Sequence, residues 1–317
     1  MSQQVIVGLN VVVVALVAET PCVMTVRQFT DIATEPTVGL PFGPLDTERH
    51  RTLEEGLRAW VQEVAKQPLG YVEQLYTFGD RDRHQSAFTD GGRVISVCYL
   101  ALTRAAGQVA GNATWESWYD YLPWEDWRAG EPPMLRAQIL PALTGWVDAA
   151  STADGKAKRQ HRMDEVFGLA SDVWDSDRAL DRYELLYEAG LVEEAWRDRG
   201  EAIPSNLALV PGKVMAYDHR RILATAMGRL RGKVKFRPVV FELLPEKFTL
   251  LQLQRCVEAL AGKRLHKQNF RRLIEAQGLV EETGEIFAEG RGRPAKLYRF
   301  RREVLRERLR PGVKHGY

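Results

Sequence analysis

Five polar side chains at the start of a short amphipathic segment are of the types that read the edges of DNA bases. They are Lys267, Gln268, Asn269, Arg271 and Arg272. Gln and Asn pair with adenine through two hydrogen bonds, and Arg pairs with guanine in the same way. The spacing of Phe270, Leu273 and Ile274 predicts a helix that directs these three apolar residues to a core. The five polar residues then face outward, and we expect them to contact DNA.

A second basic segment follows this predicted helix. Arg291 and Arg293 flank Gly292 and precede Pro294. Because glycine lets the backbone approach the groove floor, two such guanidiniums can enter the narrow minor groove of A·T-rich DNA. We predict that Arg291, Arg293 and the nearby Lys296 also bind DNA.

The elements around these residues follow the order of a winged helix-turn-helix. Thr249 can cap a helix that continues to Ala261, and Gly262 ends it. The second helix begins at Lys267 and ends before Gly278, and two short strands, 279–282 and 296–300, follow it. In such modules the second helix enters the major groove. A winged helix that binds protein instead of DNA is the alternative.

The charge distribution supports an anionic partner for this part of the chain. Residues 229–317 carry 22 Lys and Arg against 10 acidic residues, whereas residues 1–228 carry 22 against 32. The formal net charge of +2 therefore conceals a basic C-terminal part and an acidic body. A basic surface of this size is typical of polyanion binding, although it can also be only a solvated surface.

The bulk composition is that of a soluble globular protein. The chain has 317 residues, 45% of them hydrophobic and 27% charged, which is enough for two domains. Cys22, Cys98 and Cys256 are widely separated, so neither a disulfide framework nor a zinc site is expected. The apolar run 5–17 is too short to span a bilayer. We expect a cytoplasmic protein without membrane contact, associated with the nucleoid when it binds DNA.

The N-terminal part alternates predicted strands and helices. Strands are expected at 5–18, 21–29, 71–79 and 93–103, the first of them central and buried on both faces because it is rich in valine. Asp46 or Thr47 can cap a helix that reaches Lys66, with Leu57 and Val61 on its apolar face. A strand at 214–217 and a helix at 218–230 are expected to close this domain.

Residues 113–204 are interpreted as a mostly helical insertion. Six aromatic residues crowd its first part: Trp115, Trp118, Tyr119, Tyr121, Trp124 and Trp127. Such rings can stack on a base or a nicotinamide ring, or they can form a docking surface for the insertion or a dimer contact. The sequence predicts domains at 1–232, with this insertion, and at 233–317.

A glycine-bearing turn at 40–45, followed by the predicted helix, resembles the Nudix box. In that family a glycine-rich turn precedes a helical Arg-Glu-apolar-x-Glu-Glu motif whose glutamates hold divalent metal against a pyrophosphate. Here the motif reads Arg58-Ala59-Trp60-Val61-Gln62-Glu63, so Ala59 and Gln62 occupy two glutamate positions. Metal-dependent cleavage requires several anionic oxygens on one face. We therefore predict a degenerate, non-catalytic box without a metal site, although Glu54 and Glu55 can in principle substitute.

About two thirds of the chain resembles the Nudix-related transcriptional regulators of bacterial NAD metabolism, which are called NrtR-type and NadQ-type. The resemblance is carried by segments 72–80, 93–97, 230–233, 241–245, 269–272 and 292–298. It implies α/β plus α architecture: a degenerate Nudix α/β/α sandwich with a helical insertion, followed by a C-terminal winged helix-turn-helix. The insertion departs from the shorter NrtR plan and is more similar to the NadQ-type branch.

The resemblance also implies a function. Such regulators repress genes of NAD synthesis or salvage, bind a palindromic operator as homodimers, and respond to a nucleotide such as NAD, ADP-ribose or ATP. No required cofactor is implied. A ligand that changes the relative positions of two recognition helices would alter the affinity for two half-sites.

Four residues are the candidate effector contacts. Arg27 can pair with phosphate, Tyr76 or Phe78 can stack on adenine, and Asp80 can accept from ribose hydroxyls. Each also has a structural alternative, since Arg27 can form an internal ion pair and either aromatic ring can belong to the core. Two other functions stay open: a Mg-dependent Nudix pyrophosphatase with a DNA-binding tail, and an adaptor whose winged helix binds protein.

Overall fold

The computed structural model describes residues 5–28, 37–46, 48–65, 69–79, 93–104, 111–170, 173–236, 239–287 and 294–301. Within these ranges, no helix combines the length and the apolar character needed to cross a bilayer. The strands are β1 Val5–Val17, β2 Thr20–Gln28, β3 Thr37–Gly39, β4 Phe42–Pro44, β5 Val72–Phe78, β6 Arg93–Leu102, β7 Ala113–Ser117, β8 Val280–Phe287 and β9 Ala295–Phe300. The helices are α1 Leu53–Ala65, α2 Trp118–Tyr121, α3 Leu140–Asp148, α4 Ala153–Phe167, α5 Ala179–Glu188, α6 Glu193–Arg199, α7 His219–Phe236, α8 Leu250–Ala261 and α9 Lys267–Gln277.

A mixed sheet forms the centre of the N-terminal part. Its order is β3-β2-β1-β6-β5, with β4 added to β1 and β7 added to β2. β1 pairs in parallel with β6 over ten residues and is buried on both faces, as its valine content predicted. Alternate residues of β1 enter two separate cores, one containing Val12 and the other Val11. This two-sided burial makes the sheet the middle layer of a sandwich.

Helices cover both faces of this sheet. Leu57 and Val61 of α1 pack on the face that contains Val11, whereas α7 and the helical insertion pack on the other face. The α/β/α sandwich expected from the sequence is therefore present. The first core extends without interruption from the sheet through the insertion to Phe270 and Ile274 of α9.

Several predicted boundaries in the N-terminal part were wrong. α1 begins at Leu53 and not near Thr47, because Asp46 accepts hydrogen bonds from the backbone of Glu48 and Arg49 in a local turn. The oxygen Oγ1 of Thr52 accepts from the backbone of Glu55 at 3.1 Å and takes the capping role instead. Residues 113–117 form β7 in the central sheet, so the helical part of the insertion begins after this strand.

The segment 214–217 is irregular and not a strand. It contacts the sheet where the backbone of Ala216 donates to the carbonyl of Val38 at 2.8 Å. Tyr217 has φ of 50°, which ends extended structure directly before α7. α7 then continues to Phe236, beyond the predicted end at 230, and passes through the boundary predicted at 232. The position of that boundary remains a prediction.

Candidate nucleic-acid interface and ligand-binding surfaces

Helix α9 presents the polar residues predicted to contact DNA. Phe270 and Ile274 are buried, at 5% and 8% exposure, and fix the inner face of the helix. Lys267, Gln268, Asn269, Arg271 and Arg272 are all exposed. Within the described part of the chain, none of these five side chains makes a hydrogen bond or an ion pair with another protein group. Their donors are therefore available to a ligand.

Leu273 was assigned to the core from its spacing, and this prediction was wrong. The side chain is 54% exposed, one turn after Asn269 on the outer face of α9. The spacing i, i+3, i+4 is compatible with one apolar face, but the core covers only the side of that face that carries Phe270 and Ile274. An apolar side chain on this surface has the chemistry to contact a thymine methyl group.

A buried carboxylate and amide hold the turn between α8 and α9. Glu258 accepts from the backbone of Leu265 at 2.9 Å and from Arg264, and Gln254 donates both to Glu258 and to the carbonyl of Leu265. Burial raises the pKa of Glu258, but the hydrogen bonds from Leu265, Gln254 and Arg264 outweigh it, so the pKa lies below its ordinary value. This network orients the first turn of α9 relative to α8.

The wing is longer than predicted. β8 and β9 pair in antiparallel fashion, with a register shift between Glu282 and Ile286, and Phe248 adds a bridge to Tyr298. Lys296 donates to both carboxylate oxygens of Glu282, at 2.9 and 3.0 Å, so an internal partner competes with any DNA contact. Arg291 and Arg293 lie outside the described residues, and their contact with DNA remains a prediction.

The box-like motif on α1 borders a cavity of about 600 Å³. Glu54, Glu55, Ala59 and Gln62 line it. Arg58 is engaged internally: it pairs with Glu54 at 2.9 Å and donates to the carbonyls of Leu69 and Gly70. Among the described residues, no three His, Cys, Asp or Glu side chains are grouped to hold a metal ion.

Close packing shapes the turn at 40–45. A Cβ atom on Gly43 would approach the indole Nε1 of Trp60 to 2.6 Å, and one on Gly39 would approach Nδ1 of His219 to 2.7 Å. The same Nδ1 accepts from the backbone of Leu40 at 3.0 Å. The glycines therefore let the turn lie directly between α1 and the first residue of α7.

Three of the four candidate effector residues lie on two separate strands. The register pairs Tyr76 with Cys98 and Phe78 with Ser96, so both rings point to the sheet face covered by α7. Phe78 is 2% exposed and belongs to the core. Tyr76 is 59% exposed, and the centroids of the two rings are 5.1 Å apart in an edge-to-face arrangement. The burial of Phe78 agrees with the core alternative for this residue and leaves Tyr76 as the accessible ring.

Arg27 is exposed on β2, and Asp80 lies outside the described residues. β1 and β6 separate β2 from β5, which corresponds to three strand spacings, or about 14 Å. Arg27 and Tyr76 therefore do not form one compact site, and only an extended ligand can contact both.

The sequence interpretation missed polar groups under the same sheet face. Asn10 is fully buried and donates to Oγ of Ser96, while its Oδ1 has no protein partner among the described residues. Arg221, at the start of α7, lies over the Phe78 ring at 5.1 Å. Burial raises the pKa of the neighbouring Cys98 thiol to about 12, so this thiol stays protonated. The signal for Asn10 was its position within a valine-rich strand.

Most of the aromatic cluster at the start of the insertion is core. Trp118, Tyr121 and Trp124 are fully buried and Tyr119 is nearly so. These rings are therefore inaccessible to a stacking base, which agrees with a docking role for the insertion. Trp127 lines an open cavity, and there it meets Trp174.

A fully buried ion cluster joins the insertion to α7. The carboxylate of Glu125 accepts hydrogen bonds from Arg182 at 2.6 and 2.9 Å and from Arg231 at 2.5 Å. The three side chains have no exposed surface. Burial raises the pKa of Glu125, but the charges and hydrogen bonds of Arg182 and Arg231 outweigh it, so the pKa lies below 4.5. Arg231 also donates to the carbonyl of Leu260 at 3.1 Å, which connects this cluster to the end of α8.

Comparison with known proteins identifies the C-terminal domain. Residues 240–300 match the family described as the NrtR DNA-binding winged helix domain. The "ADPR responsive transcriptional repressor NtrR" of Acinetobacter baylyi is 41% identical over 86 residues. That alignment covers 27% of this chain and only 34% of the relative's length.

Solved structures share the fold of the whole chain. The crystal structure of NrtR from Shewanella oneidensis with a 27mer DNA superposes with a TM-score of 0.56 at 20% identity and covers 94% of both chains. A MutT/nudix family protein from Enterococcus faecalis gives a TM-score of 0.54 at 17% identity, covering 95% of this chain and 90% of its own. A Nudix-like sandwich with a C-terminal winged helix is thus the fold, as the sequence predicted.

Proposed function

We propose that this chain, whose C-terminal domain belongs to the NrtR winged helix family and whose body has a Nudix-like fold, is a ligand-responsive transcriptional repressor. It binds a palindromic operator as a homodimer and controls genes of NAD synthesis or salvage. The observation that carries the proposal is the outer surface of α9. There, five exposed polar side chains without internal partners surround an apolar Leu273.

The effector is a nucleotide related to NAD. ADP-ribose is favoured over NAD and ATP because the Acinetobacter relative is named for its response to ADP-ribose. The exposed Arg27 and Tyr76 support an extended ligand, since three strand spacings separate their strands. In this assignment Arg27 pairs with a phosphate, Tyr76 stacks on a ring, and Asp80 accepts hydrogen bonds from ribose hydroxyls.

The degenerate motif on α1 makes the protein a sensor and not a hydrolase. Ala59 and Gln62 supply no anionic oxygen to the cavity on this helix, and Arg58 is already paired with Glu54. The presence of Glu54 and Glu55 in the same cavity favours the pyrophosphatase as the second candidate function. Release of AMP from ADP-ribose in the presence of Mg²⁺ would establish it.

Fluorescence anisotropy of a labelled A·T-rich palindromic duplex tests the proposal. The full chain is titrated alone and with ADP-ribose, NAD or ATP. We expect specific binding, and a change in affinity of about 5–150-fold with one nucleotide, the usual range for coupling between two sites. Gln268→Ala should relax base choice at one position in each half-site, because a bidentate contact to adenine is lost.

A matched variant separates DNA contact from general damage. Gln277→Ala changes another exposed glutamine at the far end of α9, beyond the polar turn, and should leave base choice unchanged. If no duplex binds under any ligand condition at low salt, the repressor proposal is wrong and the adaptor function replaces it.

A further inference from the structure

The helical insertion contains a cavity of about 340 Å³ that is separate from both the α9 surface and the sheet face. Trp127, Phe167 and Trp174 line it, together with Leu135 and Leu140. A volume near 300 Å³ is the lower end of the range for small-molecule sites, so it suits a ligand of one or two rings.

The aromatic wall of this cavity is held in place from behind. The ring centroids of Trp127 and Trp174 are 4.5 Å apart, and Phe167 lies 6.2 Å from Trp174. Arg182 lies over the Trp174 ring at 3.8 Å, and Arg182 is itself fixed by the buried Glu125. The indole rings are therefore anchored before any ligand arrives, which is the arrangement that binding sites require.

A charged pair lies at the rim of this cavity. Arg136 pairs with Glu131 at 2.8 Å, and the Arg136 side chain is 75% exposed, so its guanidinium can also donate hydrogen bonds to an external anion. Arg136 lies within a π-helical turn, Leu135–Ile139, in which the backbone of Leu140 donates to the carbonyl of Leu135. Single π-helical turns occur frequently at functional sites.

From this geometry we infer a second ligand site, one that binds a planar nitrogen heterocycle carrying an anionic group. An electron-poor ring packs against the electron-rich aromatic rings that line the cavity. The anionic group pairs with Arg136. Both a pyridine carboxylate and a purine nucleoside monophosphate have this chemistry, and calorimetry with each of them distinguishes the two.

The site also contacts the DNA-binding domain. The backbone of Trp127 donates to the carbonyl of Gly262 at 2.6 Å, and Trp127 forms a β-bridge with Lys263. Gly262 and Lys263 begin the turn between α8 and α9. Ligand occupancy that holds Trp127 in this position therefore also holds this turn in place, a step that rests on the proposed function.

Isothermal titration calorimetry of the full chain without DNA tests the site itself. Two acid and neutral pairs serve as probes: nicotinate with nicotinamide, and AMP with adenosine. We expect one acid to bind with a Kd between ~10 µM and ~1 mM, and its neutral partner to bind at least tenfold more weakly, or about 1.4 kcal/mol. The acid that binds identifies the source of the ligand.

Two variants locate the binding. Arg136→Gln should weaken binding of the acid about tenfold or more. Leu169→Glu places a negative charge at a partly exposed residue that lines the cavity, and it should abolish binding of the acid. Arg162→Gln is the matched control, because Arg162 is also an exposed arginine paired with a glutamate but lies outside the cavity.

Three results would overturn the inference. One is no heat from either acid up to ~10 mM, a concentration well above millimolar affinity. Another is binding that neither variant changes. The third is a dimer that Arg136→Gln dissociates without any ligand, which would make the cavity an interface between copies.

The anisotropy assay separates this inference from the function on which its last step rests. An acid that binds in calorimetry and leaves DNA affinity unchanged refutes only the coupling through Trp127. Loss of all DNA binding refutes the repressor proposal, and the calorimetric result still decides whether the site exists.

Discussion

Arginine serves opposite purposes in two regions of this molecule. In the interior, Arg182 and Arg231 are fully buried, and both of their guanidinium groups are satisfied by Glu125 and by backbone carbonyls. On α9, Arg271 and Arg272 are exposed and have no protein partner among the described residues. The residue type alone therefore does not indicate its role. Burial against a carboxylate does.

This difference predicts which property each substitution changes. Removing a partner inside the buried cluster leaves an uncompensated charge without water, which costs stability. Removing an exposed cation from α9, which has no hydrogen-bond or ion-pair partner among the described residues, should leave the fold intact and cost only affinity for an anionic ligand.

Glu125→Gln should have the largest effect. The two buried arginines lose their common counter-charge, and breaking a buried pair in this way costs about 3–5 kcal/mol. Chemical denaturation should show this loss in the free energy of unfolding. Glu131→Gln, which removes a partly exposed pair with Arg136, is the control and should cost less than about 1 kcal/mol. Equal losses would mean that burial does not govern these pairs.

The same cluster makes stability dependent on acid. The pKa of Glu125 is lower in the folded protein than its ordinary value of 4.5. The ionised carboxylate therefore stabilises the fold above pH 4.5, and this contribution is lost as the pH falls below 4.5 and through the folded pKa. Denaturation curves between neutral pH and pH 3 should show a steeper loss in the wild type than in Glu125→Gln.

Asn269→Ala tests the other side of the comparison. Loss of a bidentate contact to adenine should weaken the specific operator by about 1–3 kcal/mol, with much less effect on random DNA. The melting temperature should not change, because Asn269 is exposed and unpaired. A lower melting temperature together with unchanged DNA binding would place Asn269 among the structural residues.

Arg272→Ala should reduce affinity without changing base choice. A phosphate contact contributes equally for every sequence, so the slope of log affinity against log salt should fall by about 1. Arg162→Ala, on the insertion, supplies a control for the overall charge change. An identical slope in wild type and Arg272→Ala would show that this side chain does not contact a phosphate.

Leu273→Ala should have the smallest effect. Its exposed side chain is expected to cover a thymine methyl group, and loss of a contact of that size is worth roughly 0.8 kcal/mol. The loss should disappear when thymine is replaced by uracil in the operator. Leu251→Ala is the control, since Leu251 is similarly exposed on α8, at 45%. A large drop in the free energy of unfolding with Leu273→Ala would show that this side chain packs in the core.

The sequence predicted best those elements that local signals determine. Thr249 forms a capping box with Gln252, and Gly262 and Gly278 adopt the left-handed conformation that ends α8 and α9. Both helices therefore occupy the predicted residues. The valine-rich β1 was predictable for the same reason, since burial on both faces leaves no polar alternation.

Long-range packing decided the features that sequence reasoning missed. Glu125 and Arg231 are 106 residues apart, and no local pattern connects them. The segment 214–217 resembles a strand because it is apolar, but Met215 and Ala216 are buried there without forming a strand. Leu273 could not be distinguished from Ile274 by spacing alone, because both fall near the inner stripe of α9.

Helix α7 spans about 27 Å without a break, as 18 residues at 1.5 Å each require. Near its start, Arg221 lies over the Phe78 ring of β5, and farther along, Arg231 donates to the carbonyl of Leu260 at the end of α8. Because one continuous helix carries both contacts, we expect a displacement at the sheet to change the orientation of α8. In the proposed repressor, the angular tolerance of the operator sets how small a displacement is sufficient.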